Sequence, residues 1–186
     1  MKKLIWYLSC LALMLAVSAN AKDKQKKVSF YDFKVKTLEG EEFPLSKLKG
    51  KKVMVVNTAS KCGFTPQYAD LESLYKQYGG KNFIIIGFPA NNFKEQEPGD
   101  NAQIREFCTA NYGVTFPMME KISVAGNDIH PLYKWLTEKS ENGVMDAPVK
   151  WNFQKILIDE KGHLVDVIMT KEKPNSERVI KWLNDK

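Results

Sequence analysis

The chain is poor in the residues from which most catalytic centres are built. Its 186 residues include two histidines, His130 and His163, and three cysteines, Cys10, Cys62 and Cys108. Two histidines with no cluster of cysteines or carboxylates around them make a poor metal site. No ordered signature ties either one to a cysteine as a cysteine hydrolase would require, and surface or capping roles suit both better. No two cysteines stand two residues apart, and the position three after Cys62 is Thr65, so the local dithiol of a disulfide reductase is excluded. No apolar run reaches the ~20 residues needed to span a bilayer. A basic stripe interleaved with aromatics is also missing, which argues against a nucleic-acid partner. There are no internal repeats or low-complexity tracts.

The longest apolar stretch, Leu4 to Val17, follows Lys2 and Lys3 and precedes Ala19-Asn20-Ala21. That is the pattern of a secretory leader, and cleavage after Ala21 is expected. Residues 1–21 then form the leader, 22–28 a Lys-rich disordered mature N-terminus, and 29–186 one domain exported to the periplasm or the exterior. Loss of Lys2 and Lys3 lowers the formal charge from +6 to +4, a modest excess typical of a solvated surface. Stable membrane insertion is not expected after cleavage. Two cysteines remain. In an oxidising compartment such a pair suggests a structural disulfide, although a domain of this size does not need one staple, and a redox role stays open.

Periodicity orders the domain. Phe30 to Val35 alternates like a strand, and Leu38 to Phe43 reads as a turn into a second short strand. Val53–Val56 and Phe83–Phe88 are continuous apolar runs, the signature of buried strands. Tyr68, Leu71, Leu74, Tyr75 and Tyr78 recur at helical spacing before Gly79-Gly80. A loop rich in Pro, Asn and Gly runs from Pro89 to Asp100, and Asn101 opens a helix carrying Ile104, Phe107 and Cys108. A further helix is expected over 129–139. Phe153–Ile158 and His163–Met169 flank a hairpin turn at Asp159-Glu160-Lys161-Gly162. Asn175 or Ser176 caps a last helix that buries Val179, Ile180 and Leu183. This order predicts an α/β domain with a mixed central sheet flanked by helices, and its β-cysteine-helix opening with a closing hairpin and helix suggests the thioredoxin-like fold.

Cys62 is the residue with the strongest chemical setting. It follows the strand ending in Val53-Met54-Val55-Val56-Asn57-Thr58 and precedes an amphipathic helix, where free N–H groups and Lys61 favour an anion. A small hydrophobe packed at a strand–helix junction is the ordinary alternative. A lone thiolate cannot close a local disulfide, but it can attack a peroxide O–O bond to give a sulfenic acid, which a second thiol can resolve.

Three segments carry a family resemblance. Asn57-Thr58-Ala59-Ser60-Lys61-Cys62-Gly63-Phe64-Thr65, the loop Gly87 to Gly99, and Trp151-Asn152-Phe153 resemble, in order, the signatures of the glutathione peroxidases in their cysteine form. The likeness runs from about Phe30 to Trp182. It implies peroxide substrates, no cofactor and no metal, and a site of Cys62, Gln96, Trp151 and Asn152. In that site Cys62 is the nucleophile, and three groups that do not titrate supply hydrogen-bond donors to sulfur and to the departing oxygen. Asn91 is a weaker candidate that can fix the loop. Cys108 matches the place where thioredoxin-dependent members keep a resolving cysteine, and that role requires local unwinding of its helix.

The chain also departs from the family. Ala90 and Asn92 stand where many relatives have cysteine and glutamine, and Lys94 and Glu95 occupy a stretch that is often glycine-rich. The stretch 139–150 is short and lacks a longer insertion used for tetramer contacts, which points to a monomer. A thioredoxin-like reductant is implied ahead of glutathione. The alternative from another class is a non-enzymatic secreted thiol redox sensor or structural module, which has no need of Gln96, Trp151 and Asn152.

Overall fold

The structure is a computed structural model and describes residues 27–185. The expected leader and most of the expected disordered segment lie outside the described residues. Within that segment, the Val28 carbonyl accepts a hydrogen bond from the Trp135 indole at 3.0 Å.

The first strand-like stretch divides in two. Ser29 accepts from the Tyr31 amide and exchanges a capping box with Asp32, winding Phe30–Asp32 into one 3₁₀ turn. Only then does β1 (Lys34–Lys36) begin, pairing antiparallel with β2 (Glu42–Pro44). Alternation alone could not show that Ser29 would recruit the backbone into a turn.

The central sheet is formed by β3 (Lys52–Thr58), β4 (Phe83–Pro89), β5 (Lys155–Ile158) and β6 (Leu164–Ile168), in the order β4-β3-β5-β6. The β3–β4 pair is parallel, from Lys52↔Phe83 to Thr58↔Pro89. The β3–β5 and β5–β6 pairs are antiparallel. A mixed α/β sheet is thus what the sequence pattern predicts.

Side chains alternate between two cores, as a two-residue period requires. Val53, Val55, Ile86, Phe88, Ile156 and Ile158 face one, beneath Phe30, Leu45 and α3 (Pro131–Thr137) with its Leu132, Tyr133 and Leu136. Met54, Val56, Phe83, Ile85 and Leu157 face the other, beneath α1 (Gln67–Tyr78), α2 (Asn101–Tyr112) and α5 (Glu177–Asn184). Each fully buried large apolar side chain contributes about 1.5–3 kcal/mol.

Helix α3 is shorter than the 129–139 pattern suggests. Pro131 at its first turn fixes the start, with His130 Nδ1 accepting from the Leu132 amide at 3.2 Å. Extended backbone at Glu138 ends it before the single turn α4 (Lys139–Asn142). Helix α5 does follow Ser176, but the Ser176 hydroxyl donates to Glu172 at 2.7 Å and leaves the helix end uncapped by its side chain. Lys155, fully buried in β5, donates to the Glu172 carbonyl at 2.6 Å. Burial draws its ammonium down to about 8, against the pull of Glu172 and Asp70.

Candidate active site

The C-terminal end of β3 draws three distant segments together. Past Thr58, the carbonyl of that residue accepts from the Ala90 amide at 3.0 Å. The neighbouring Asn57 carbonyl accepts from the Phe153 amide at 2.6 Å, and the Asn57 side-chain amide donates to the Trp151 carbonyl at 3.1 Å. The Lys61 amide donates to the Gln96 carbonyl at 2.9 Å, pinning the cysteine loop to the loop after β4. The three segments singled out in the sequence therefore meet at one end of the sheet's inner strand β3.

Cys62 sits in tight turns ahead of α1. Its amide donates to Thr65 Oγ1 at 3.0 Å, and that hydroxyl donates to the Ala59 carbonyl at 2.8 Å. The Phe64 amide points at Cys62 Sγ, 3.4 Å away. The donor on sulfur therefore belongs to the turn; Gln67, the first residue of α1, lies five positions on. Thr65, noted in the sequence only because it is not a cysteine, is the residue that shapes the loop. Cys62 is 7 % exposed, within reach of a small oxidant, whereas Cys108 is 1 % exposed.

Gln96 and Asn152 are brought into contact. Asn152 Nδ2 donates to Gln96 Oε1 at 3.0 Å, which leaves the Gln96 amide hydrogens to donate elsewhere. Asn152 is fully buried, its carbonyl accepts from the Thr170 hydroxyl at 2.9 Å, and its Oδ1 has no partner. The half-buried Trp151 packs against Phe93, ring centroids 5.5 Å apart, with the Lys94 ammonium 5.8 Å from its ring centre. Cys62, Gln96, Trp151 and Asn152 thus lie on two hydrogen-bonded loops and one turn.

Backbone strain concentrates here. Phe153 has φ +64° and Lys94 and Glu95 have φ +52°, the left-handed region. A Cβ in that conformation costs roughly 1–2 kcal/mol. Asn91 Oδ1 accepts from the Glu97 amide at 2.8 Å and closes the loop, while Asn92 binds Ser123, Val124 and Ala125.

Cys108 lies on α2 and is free, as is Cys62. Burial pushes its thiol up to about 11; the Tyr68 hydroxyl beside it lowers it somewhat and the Glu97 carboxylate adds to the rise. Glu97 was missed in the sequence, where an acid in a loop of Pro, Asn and Gly gives no sign of burial, yet it is 1 % exposed. His130 caps α3, and His163 pairs with Asp159 at 3.2 Å in the β5–β6 turn. Among the described residues no cluster of three His, Cys, Asp or Glu could hold a metal, and no helix is long and apolar enough to cross a membrane.

The glutathione peroxidase family model matches residues 30–137. The chain is 50 % identical over 148 residues to glutathione peroxidase-like peroxiredoxin 2 of Saccharomyces cerevisiae, covering 80 % of this chain and 91 % of that one. A glutathione peroxidase of Lactococcus lactis subsp. cremoris is 48 % identical over 157 residues, 84 % of this chain and 99 % of its own. The apo crystal structure of Trgpx superposes with a TM-score of 0.65 at 41 % identity, covering 85 % of this chain and 97 % of that one. A thioredoxin-family thiol:disulfide interchange protein from Chlorobium tepidum shares the fold alone, with a TM-score of 0.61 at 20 % identity over 89 % and 99 % of the two chains. With its three signature segments joined at the end of β3 on a thioredoxin-like fold, the chain belongs to the glutathione peroxidase family.

Proposed function

We propose that this peroxidase reduces hydrogen peroxide and organic hydroperoxides through Cys62, with Gln96, Trp151 and Asn152 as its hydrogen-bonding partners. The observation that carries the reading is the chain of contacts from the Cys62 loop through Gln96 to Asn152. Sulfur attacks the terminal peroxide oxygen, the O–O bond breaks, and Cys62 becomes a sulfenic acid while the leaving oxygen takes a proton and departs as water or alcohol. Neutral donors aimed at that oxygen stabilise its charge without competing for the proton, which arrives through water.

Cys108 then resolves the sulfenic acid as a disulfide, and a thioredoxin-type dithiol reduces it in preference to glutathione. A disulfide needs Cα atoms about 4.4–6.8 Å apart. Cys108 is buried inside α2, so that helix unwinds in part when the bond forms. The enzyme works as an exported monomer, and its substrates extend to bulky lipid hydroperoxides.

Peroxide consumption with thioredoxin and with glutathione tests the reading, together with mass spectrometry of the oxidised protein. Multiple turnovers and a Cys62–Cys108 linkage are expected, with thioredoxin the faster reductant. One equivalent of peroxide consumed and then nothing would make the protein a sensor. Turnover without the linkage would remove Cys108 from the mechanism.

A further inference from the structure

The peptide group between Asn152 and Phe153 is gripped on both edges. Its N–H donates to the Asn57 carbonyl at 2.6 Å, and its carbonyl accepts from the Thr170 hydroxyl at 2.9 Å. A peptide is planar and rigid, so partners on opposite edges fix its rotation. That rotation sets the φ of +64° at Phe153 and the direction in which the Asn152 side chain leaves the turn. The preceding carbonyl, of Trp151, accepts from the Asn57 side chain at 3.1 Å. Asn57 thus grips the turn from β3, and Thr170 grips it from the other side.

Thr170 belongs to none of the three segments that carry the family resemblance. It follows β6 in a turn where its neighbours Met169 and Lys171 are exposed, yet Thr170 itself is buried. Contacts from two directions hold it inward. Gln67, the first residue of α1, donates its side-chain amide to the Thr170 carbonyl at 2.7 Å in a buried bond. The backbone amide of Gln67 donates to the Phe64 carbonyl at 2.9 Å, which ties it to the turn whose N–H points at Cys62 Sγ. Lys155 reaches the same stretch from β5 through the Glu172 carbonyl at 2.6 Å, and the Glu172 amide closes the turn on the Met169 carbonyl at 2.9 Å. A buried ammonium is costly unless hydrogen-bonded, and the acceptor it finds is this turn.

These bonds close a ring. From the Cys62 turn it runs through Gln67 to Thr170, on to Asn152 and Gln96, and back through the Gln96 carbonyl to the Lys61 amide. Beyond Gln96 the Asn152 side chain has no further anchor, since its Oδ1 is without a partner. We propose that Thr170 is a positioning residue for peroxide cleavage. Its hydroxyl holds Asn152 so that the Asn152 amide keeps Gln96 turned toward the departing oxygen, and Gln67 holds Thr170 in place. The proposal rests on the reading of Cys62, Gln96 and Asn152 given above. In this role Thr170 acts through Asn152 and needs no contact with peroxide. It removes one rotation from the turn that carries Asn152, so the donors are in place before the O–O bond breaks.

Reduced protein offers two rates at Cys62. One is oxidation by hydrogen peroxide, followed by quenched intact-mass measurement; the other is alkylation by iodoacetamide, located by peptide mass spectrometry. Alkylation uses the same sulfur in the same turn but releases no oxygen for Gln96 to serve. Thr170→Val keeps the shape and loses the hydroxyl. It is expected to slow oxidation about tenfold and to leave alkylation at the wild-type rate. Thr170→Ser restores oxidation. Placed on Asn152→Ala, the valine change is expected to cost nothing further, because Thr170 then has no amide to position. Undiminished oxidation in Thr170→Val overturns the proposal, as does an equal fall in both rates, the mark of a loosened fold. A valine effect as large on Asn152→Ala as on wild type overturns it too. Asn152→Ala oxidising at the wild-type rate removes the reading of the site itself, and the proposal with it. Should Thr170→Val fail to fold, Gln67→Met decides. It unties Thr170 from α1 and also removes Gln67 Oε1, which is buried without a partner. An undiminished ratio of oxidation to alkylation in that variant overturns the positioning.

Discussion

On the sheet face beneath α3, Val53, Val55, Ile86, Phe88, Ile156 and Ile158 meet Leu132, Tyr133 and Leu136, and neither cysteine lies in that core. On the face beneath α1 and α2, Met54, Val56, Ile85 and Leu157 meet both cysteines and Tyr68, beside a buried Lys155 and Glu97. The same four strands build both faces, one residue out of phase. The first face meets its strands mainly with hydrocarbon, and the second holds both cysteines, the unpartnered Tyr68 hydroxyl and the left-handed Phe153. The contrast separates the part of the chain that holds the fold from the part that does chemistry.

The largest expected effect falls on the chemical side. Cys62→Ser should reduce peroxide turnover by roughly a thousandfold or more, because a hydroxyl lacks the nucleophilicity of a thiolate. Its melting temperature should stay near wild type. Turnover sustained by Cys108 alone would break the contrast. On the other face, Leu132→Ala should cost about 2–5 kcal/mol in urea unfolding, through lost burial and the cavity left behind. Turnover per folded molecule should hold, and a parallel drop in kcat would show that the two faces are coupled.

Lys155 offers a pH test. Its folded ammonium releases its proton near 8, below the 10.5 of an ordinary lysine. Between those values the unfolded chain binds more protons, so stability rises with pH, by up to about 3 kcal/mol, and the full penalty applies below pH 8. Denaturant titrations of wild type and Lys155→Met across pH 7–10.5 should show this rise in wild type only; parallel curves would mean that Lys155 carries no such penalty. Asn152→Ala should lower kcat/KM about 10- to 100-fold by releasing the Gln96 amide, with little loss of stability; equal loss of both would make Asn152 a purely structural residue. The smallest effect is expected at Lys94→Gly, where relief of left-handed strain is set against glycine's greater chain entropy. A stability change above about 1 kcal/mol in thermal melts would mean that the Trp151 contact matters more than the backbone does.

Much of this was legible in the sequence because it depends on short-range periodicity. The two-residue alternation of β3 and β4, the helical spacing of Tyr68, Leu71 and Leu74, and the hairpin at Asp159–Gly162 all set the mixed sheet, and the three ordered segments marked the family. What escaped depends on contacts made across the chain. Thr65 became a loop-shaping residue because Ala59 and Cys62 come within reach of its hydroxyl. Glu97 is buried because α2 closes over a loop whose composition reads as solvated. Phe153 adopts φ +64° because its amide is committed to Asn57, a constraint that propensity opposes. The Ser29 turn was local yet missed, since a capping side chain competes with strand alternation over too few residues to alter the pattern.

The end of β3 has a kinetic consequence. Asn57 reaches Trp151 across 94 positions of sequence, and the Asn152 turn is not joined to the Cys62 side of the site until that pairing is made. Contacts so distant along the chain are slow to find, since loop closure must precede any gain. During refolding, helical signal should return before peroxidase activity does. Until the last strands dock, Cys62 and Cys108 belong to no peroxide-cleaving centre.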